Sequence, residues 1–358
     1  MEANNIEQLI EYLPLGYEEK CRETGAIERR RVIKDALSLM RLCLLYLTQA
    51  CSLLDVSLYA SLLSIGKLSD VAFMKRFAKC GKWFAWIINK IRPESLINYQ
   101  KPEGLEAYTL VGLDASDVTE KGATKRVWRL HYALDILNMR SLQQKITDQK
   151  TGESLTNFEI KPEYLILGDR AYGTKTSIEY CLENEGNFVF RIKNKAFKLY
   201  NKDKQEIHLL DELKKATEED AADVEVYIKN AKKEFVRLRV CAIKKTPVQI
   251  ERSRRHINKN DVRKGQTTSE ETKQVNDYIV VITSVSETIS AIEILSLYRL
   301  RWQVELYFKR LKSIMDFGDI PKKKEEGVKA WLHGKIMVAL LLEKVMGSGA
   351  AFSPCTQK

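Results

Sequence analysis

Histidine and paired cysteine are what this sequence most lacks. Only four histidines occur in 358 residues, and none stands at metal-ligand spacing from a cysteine. The seven cysteines, at 21, 43, 51, 80, 181, 241 and 355, form no Cys-x-x-Cys pair. That scatter argues against a zinc site and a disulfide framework, and it fits reduced thiols in a cytosolic protein. Any metal is expected to be a hard ion held by carboxylates. Long uncharged apolar runs are missing too. The most apolar stretch, LCLLYLTQACSLLDVSLYASLLSI, is interrupted by polar residues and Asp55, so it reads as buried helix and not as a membrane span. The N-terminal MEANNIEQLIEYL has neither the basic start nor the apolar core of a secretion signal. Repeats and linkers of biased composition are also absent.

Positive charge, by contrast, is plentiful. Lys and Arg number 59 against 48 Asp and Glu, a formal net charge of +11. The balance favours a polyanionic partner, nucleic acid first. A chain of this length can bury a large core and suggests more than one domain.

Residues 1–104 read as helical. Apolar positions recur at helical spacing over 7–13, 26–49, 57–65 and 70–91, with Gly66 and Pro93 as punctuation and Ser69-Asp70 as a cap. The last of these helices carries Lys75, Arg76, Lys79, Lys82, Lys90 and Arg92, with Trp83 and Trp86 between them. Basic residues interleaved with aromatics suit contact with a nucleic-acid backbone. The plainer alternative is a solvated basic face with tryptophan in the core.

From Tyr108 the pattern changes to strands. YTLVGLDASD is apolar up to Asp114, VWRLHYALDI follows at 127–136, and RSLQQKITD at 140–148 is a weaker strand. EKGATK is a basic turn between the first two. A helical GESLTNFE leads to EYLILGDRAYG, where a short buried-strand run ends at Asp169. A helix over 174–184 and the strand NFVFRIK complete the series. Residues 195–285 then interrupt it with the strands EVYIKN, EFVRLRVCAIKK and DYIVVITSV. Val236, Leu238 and Val240 alternate with Arg237 and Arg239, as in a sheet with one wet face. Between these strands, 247–273 reads as a long, polar, basic loop. Arg254 and Arg255 lie in it and are candidates for DNA contact; a plain solvated loop is the alternative.

The run SLYRLRWQVELYFKRLKSIMDF has no Gly or Pro before Gly318 and predicts one continuous helix. Tyr298, Arg301, Glu305 and Lys312 fall within a roughly 60° arc of it, joined by Lys309. Leu297, Leu300, Val304, Leu311 and Met315 supply the packed side, and Trp302 is expected in the core. The exposed face then presents a carboxylate flanked by a phenol and cations. Beyond it, 331–345 is an apolar helix, Lys322 to Lys324 form a basic turn, and 347–358 has no core-forming pattern and is expected to be disordered.

Tyr298, Arg301, Glu305 and Lys312 match the Tyr-x2-Arg-x3-Glu-x6-Lys signature, and the chain resembles bacterial insertion-sequence transposases of the insertion-sequence-four family, which use an Asp-Asp-Glu triad. DASD and LGDRAYG resemble the regions that hold the two aspartates, which implies Asp114, Asp169 and Glu305 as catalytic residues and metal ligands. Asp117, Asp135 and Asp148 are rival carboxylates, and Arg170 is assigned to a phosphate or a structural carboxylate. Phosphodiester transfer needs an activated oxygen, stabilised charge on the phosphorus oxygens and a stabilised leaving oxygen; two Mg²⁺ ions (or Mn²⁺) can supply all three.

The fold expectation is α/β: an RNase H-like catalytic core, a mixed five-stranded sheet with helices, at 105–194 and 286–346. It is interrupted by a β-rich insertion at 195–285, preceded by an all-helical DNA-binding region at 1–104, and followed by the tail. The implied function is cut-and-paste transposition: cleavage of the element's ends and joining of the 3′-hydroxyl to target DNA. The implied partners are double-stranded DNA with terminal inverted repeats, target DNA, and a second copy of the chain, on a bacterial nucleoid. An RNase H-like endonuclease without strand joining, or an inactive DNA-binding relic, are the alternatives.

Overall fold

The computed structural model describes residues 3–48, 51–91, 99–120, 122, 126–314, 319–321 and 324–345. Six helices come first: α1 (Ala3–Glu11), α2 (Tyr17–Glu23), α3 (Ala36–Thr48), α4 (Leu53–Leu62), α5 (Asp70–Ala78) and α6 (Gly81–Lys90). Local chemistry sets their starts. Ser52 and Asp55 form a reciprocal capping box at α4, and the Ser69 hydroxyl accepts from Ala72 N at α5. The single helix predicted over 70–91 is two, broken at Lys79 and Cys80, and only the second half of 26–49 is helical. Glycine at 81 starts the new helix, and Cys80 is fully buried at the junction.

Strands β1 (Thr109–Glu120), β2 (Arg126–Asp135) and β3 (Arg140–Asp148) follow, then β4 (Tyr164–Gly168), α7 (Lys175–Glu183) and β5 (Asn187–Arg191). The helix expected over GESLTNFE is only a single 3₁₀ turn, Leu155–Asn157. Next come β6 (Leu199–Tyr200), β7 (Glu206–Ile207), α8 (Leu209–Leu213), β8 (Ala222–Lys229) and β9 (Phe235–Lys244). The predicted loop of 247–273 is instead mostly helical, as α9 (Pro247–Lys264) and α10 (Glu270–Asn276). The chain ends through β10 (Tyr278–Thr283), α11 (Ala291–Arg299), α12 (Trp302–Ile314), β11 (Asp319–Ile320) and α13 (Glu325–Val345). The tail at 347–358 and Lys322 and Lys323 lie outside the described residues. No described helix is long and apolar enough to cross a membrane.

Two compact units result. The first combines Met1–Tyr99, Ala115–Gly152 and Glu305–Lys358; the second combines Gln100–Asp114 and Glu153–Val304. In the first unit, Tyr46 of α3 meets the rings of Phe73, Phe77 and Trp331 edge-on at 5.1–5.6 Å. Helix α13 supplies Trp331 and lies so close to α3 that a Cβ on Gly334 would stand 2.6 Å from the Leu47 side chain. Its apolar character is thus that of a core helix, as predicted. Strands β2 and β3 form an antiparallel hairpin, and the end of β1 pairs in parallel with β11.

The second unit is built on a sheet ordered β1-β4-β5-β10-β9-β8-β6-β7. β1, β4 and β5 run parallel, and β10, β9 and β8 continue antiparallel. Every residue of β4 is buried, which matches the short continuous apolar run YLILG. The strands read as an insertion therefore extend the sheet of β4 and β5 edge to edge through β10.

Candidate active site

In the second unit the register of β1 and β4 decides the geometry. Thr109 pairs with Tyr164, and the ladder runs to Gly112 opposite Leu167. Carried on two residues, the same offset sets Asp114 opposite Asp169, immediately after β4 ends. Neighbouring strands lie about 4.8 Å apart, and opposed residues of a parallel pair project to one face. Asp114 itself lies within β1, which runs on to Glu120, whereas Asp169 follows the last residue of β4.

The turn after β4 is tightly fixed. Asp169 Oδ1 accepts from Ala171 N at 2.7 Å, and the Asp169 carbonyl accepts from Tyr172 N and Gly173 N at 3.1 Å. Gly173 rests directly on β5: a Cβ there would stand 2.0 Å from the Arg191 carbonyl oxygen. Only glycine permits that approach, and it holds the turn against the strand.

The rival carboxylates are engaged elsewhere, in the first unit. Asp117 accepts from Arg129 Nε at 2.8 Å. Asp135, 2% exposed, accepts from Asn138 Nδ2 at 2.9 Å and faces Arg140 at 3.6 Å. Asp148 caps its own turn, accepting from Lys150 N and Thr151 N at 3.0 and 3.2 Å.

The signature segment is not one helix. α11 ends at Arg299, and i→i+3 bonds carry the chain through the break: Leu300 N to Leu297 O, Arg301 N to Tyr298 O, and Gln303 N to Leu300 O. Tyr298 therefore belongs to α11, Arg301 to the break, and Glu305 to the first turn of α12, partly exposed and in the first unit. The break changes two expectations. Tyr298 is 7% exposed, and its hydroxyl is buried without a hydrogen-bond partner. Trp302, expected in the core, is 52% exposed, because α12 restarts the helical phase at that residue. The Arg301 guanidinium lies over the Tyr298 ring at 5.8 Å. Lys309 is exposed on α12; Lys312 is on the same helix, its side chain outside what is described.

Among the described residues, no group of three or more His, Cys, Asp or Glu side chains stands close enough together to hold an ion.

The other basic candidates are placed as follows. Lys75 is exposed on α5. Arg76 donates to the carbonyls of Ala26 at 3.0 Å and Arg29 at 3.4 Å, and Lys79 pairs with Glu28 at 2.7 Å. Trp83 is wholly buried and donates to Tyr17 O at 2.8 Å, so its place is the core. Arg254 grips Asp277 with two bonds, and Arg255 pairs with Glu251 one turn away. Sequence reasoning passed over Arg191 and Lys245, which approach Arg170 beside Asp169. The available signal was NFVFR, a buried strand ending on a charge, as the run before Asp169 does; Asp114, expected to close its strand, lies in the middle of β1.

Comparison with known proteins gives a consistent result. The family described as Transposase DDE domain matches residues 132–341. Over 341 residues the chain is 27% identical to the putative transposase InsL for insertion sequence element IS186A of Escherichia coli (strain K12), spanning 93% of this chain and 91% of that protein. It is 27% identical over 342 residues to the transposase for insertion sequence element IS421 of Escherichia coli, at the same coverage of both chains. A shorter match, 30% identical over 102 residues and 28% of this chain, covers 21% of the transposase for insertion sequence element IS231F of Bacillus thuringiensis subsp. israelensis.

Proposed function

The chain belongs to the transposase DDE domain family, and from that premise we propose that it excises and reinserts an insertion sequence by a cut-and-paste route, with Asp114, Asp169 and Glu305 as its catalytic carboxylates. The observation that supports the reading is the parallel register of β1 and β4, whose offset, carried on from Gly112 and Leu167, would bring Asp114 level with Asp169. Two carboxylates at that spacing are hard oxygen donors and fit a divalent cation, Mg²⁺ or Mn²⁺. Glu305, the glutamate of the Tyr-Arg-Glu-Lys signature, is the third carboxylate of this proposal. Bound at these carboxylates, two such ions would neutralise charge on the phosphodiester and on its leaving oxygen.

The chain's own residues position the DNA. Arg301 offers a planar fork suited to a phosphate beside the reacting one. Tyr298 before it, and Lys309 and Lys312 after it, extend the contact along the backbone. Lys75, Arg76, Lys79, Arg254 and Arg255 add contacts farther out. Exposed ion pairs such as Lys79–Glu28 and Arg255–Glu251 hold weakly, so their cations can be exchanged for phosphates. In this reading 105–194 and 286–346 form an RNase H-like core, 195–285 is its β-rich insertion, and 1–104 binds DNA. The partners are double-stranded DNA with terminal inverted repeats, a target duplex and a second copy of the chain, on the bacterial nucleoid.

The test uses DNA carrying the element's end, with wild type and Glu305→Gln, with and without Mg²⁺, resolved on a denaturing gel. Metal-dependent cleavage and joining by wild type, lost in the variant while DNA binding survives, is the expected result. Cleavage without joining would reduce the reading to an endonuclease, and binding without cleavage would reduce it to a relic.

A further inference from the structure

A second group of charged side chains lies beside the paired aspartates, wholly within the second unit. Arg170 follows Asp169 in the turn after β4. Arg191 ends β5, directly beneath Gly173 of that turn. Lys245 stands at the junction of β9 and α9 and is 7% exposed. Asn276 ties two of them together: its side-chain oxygen accepts from Arg170 Nη2, and its backbone carbonyl accepts from Lys245 Nζ. Ser253 takes a further bond from Lys245 at 2.8 Å.

Three cations have been gathered here against two carboxylates, Asp169 acting on Arg170 and Asp277 on Lys245. The Nε atoms of Arg170 and Arg191 are both buried with no hydrogen-bond partner. The Tyr298 hydroxyl, buried and also without a partner, lies close enough to act on Arg170 electrostatically. Asp277, whose charge acts on Lys245, already accepts both bonds of Arg254 at 3.2 and 2.6 Å. Burial and the mutual repulsion of the cations show at the ammonium. Lys245 is pushed down to about 8, first by burial and then by Arg191 and Arg170. Confining cations of one sign away from water is costly unless an anion completes the group. Two idle N–H donors, an ammonium and an idle hydroxyl form a donor set for a tetrahedral oxyanion.

We propose that Arg170, Arg191, Lys245 and the Tyr298 hydroxyl form a phosphate-binding cradle, filled during the reaction by a DNA backbone phosphate next to the one being cut. The proposal rests on the transposase reading for the source of that phosphate. The cradle itself stands on the geometry alone. Its position explains why the junction of β9 and α9 reaches back to the turn after β4: Lys245 brings a third cation to a place where β5 and the turn supply two. Free inorganic phosphate shares the chemistry and is the competing source.

Two experiments separate these possibilities. The first melts the full chain, without DNA, in phosphate and in chloride at equal ionic strength. Phosphate is expected to raise the Tm of wild type by roughly 2–4 °C and to leave Lys245→Met unmoved. A merely structural lysine would instead lower Tm in both salts, and Lys245→Arg should restore the phosphate effect. The second measures DNA affinity against salt concentration. Loss of one phosphate contact flattens the log–log slope by about 1 in Lys245→Met and in Arg191→Gln. No phosphate effect together with unchanged slopes would overturn the cradle. A phosphate effect with unchanged slopes would overturn its assignment to DNA. Wild type that binds no DNA at any salt would sink the transposase reading, while the melting experiment would still judge the cradle.

Discussion

Gly173 has no room for a side chain, and what it supports is Asp169. A methyl group there would sit 2.0 Å from the Arg191 carbonyl, a backbone atom that cannot swing aside. Gly173→Ala must therefore lift the turn off β5 and shift Asp169, which the turn carries. The overpacking should cost about 1–3 kcal/mol of stability. Misplacing a reacting group by about 1 Å should cost on the order of 10²-fold in cleavage. Urea unfolding and end-cleavage rates would check both; a variant that cleaves at the wild-type rate would refute the role given to the turn. At this scale the sequence was informative about identity and silent about company. LVGLD and LILGD each show an apolar run ending on an aspartate, and both were legible. How the two runs line up depends on strand register, which is fixed by pairing across 55 positions and leaves no local trace. Arg191 and Lys245 are invisible for the same reason, since only the fold brings them to Arg170.

Helix α9 shows the opposite situation, a local signal that was present and outweighed. Thr246 accepts from Gln249 N, Gln249 returns a bond to Thr246 N, Pro247 opens the helix, and Gly265 closes it in the left-handed conformation. Those marks were readable, but the polar composition of QIERSRRHINKNDVRK suggested a loop. None of its residues is buried, so packing contributes little and capping contributes much. Thr246→Ala should cost about 1 kcal/mol. The loss should appear as faster hydrogen exchange at 247–251, with little change in global unfolding. Equal exchange in both proteins would mean that something other than the cap holds the helix. The break between α11 and α12 had no such marker. Helix formers run unbroken from Ser296 to Ser313, and neither Pro nor Gly forces a kink. Buried side chains on both flanks, Leu297 and Val304 at 0% exposure, show tertiary packing overriding propensity.

For the molecule as a whole, pH is the variable that tests how its charge is housed. His131 on β2 is buried and the ring nitrogens of His333 on α13 are shut off from water, and burial first of all pushes each imidazole down from 6.5 to about 4. Arg129 and Lys145 reinforce the effect at His131 against Asp117, and Lys329 does so at His333. The unfolded chain takes up protons at these sites below pH 6.5, whereas the folded chain refuses them until about pH 4. Stability is therefore complete above that window and falls as pH drops through it, by at most about 1.4 kcal/mol per pH unit for each histidine. Acid also adds to a net charge that is already +11 at pH 7, so general repulsion acts in the same direction. The two causes separate in a variant. Urea unfolding at pH 7.5 and 5.0 should show wild type losing stability on acidification and His333→Gln losing distinctly less. If repulsion alone were responsible, the variant would lose as much as wild type, and the buried imidazole would have no part in the acid sensitivity of the fold.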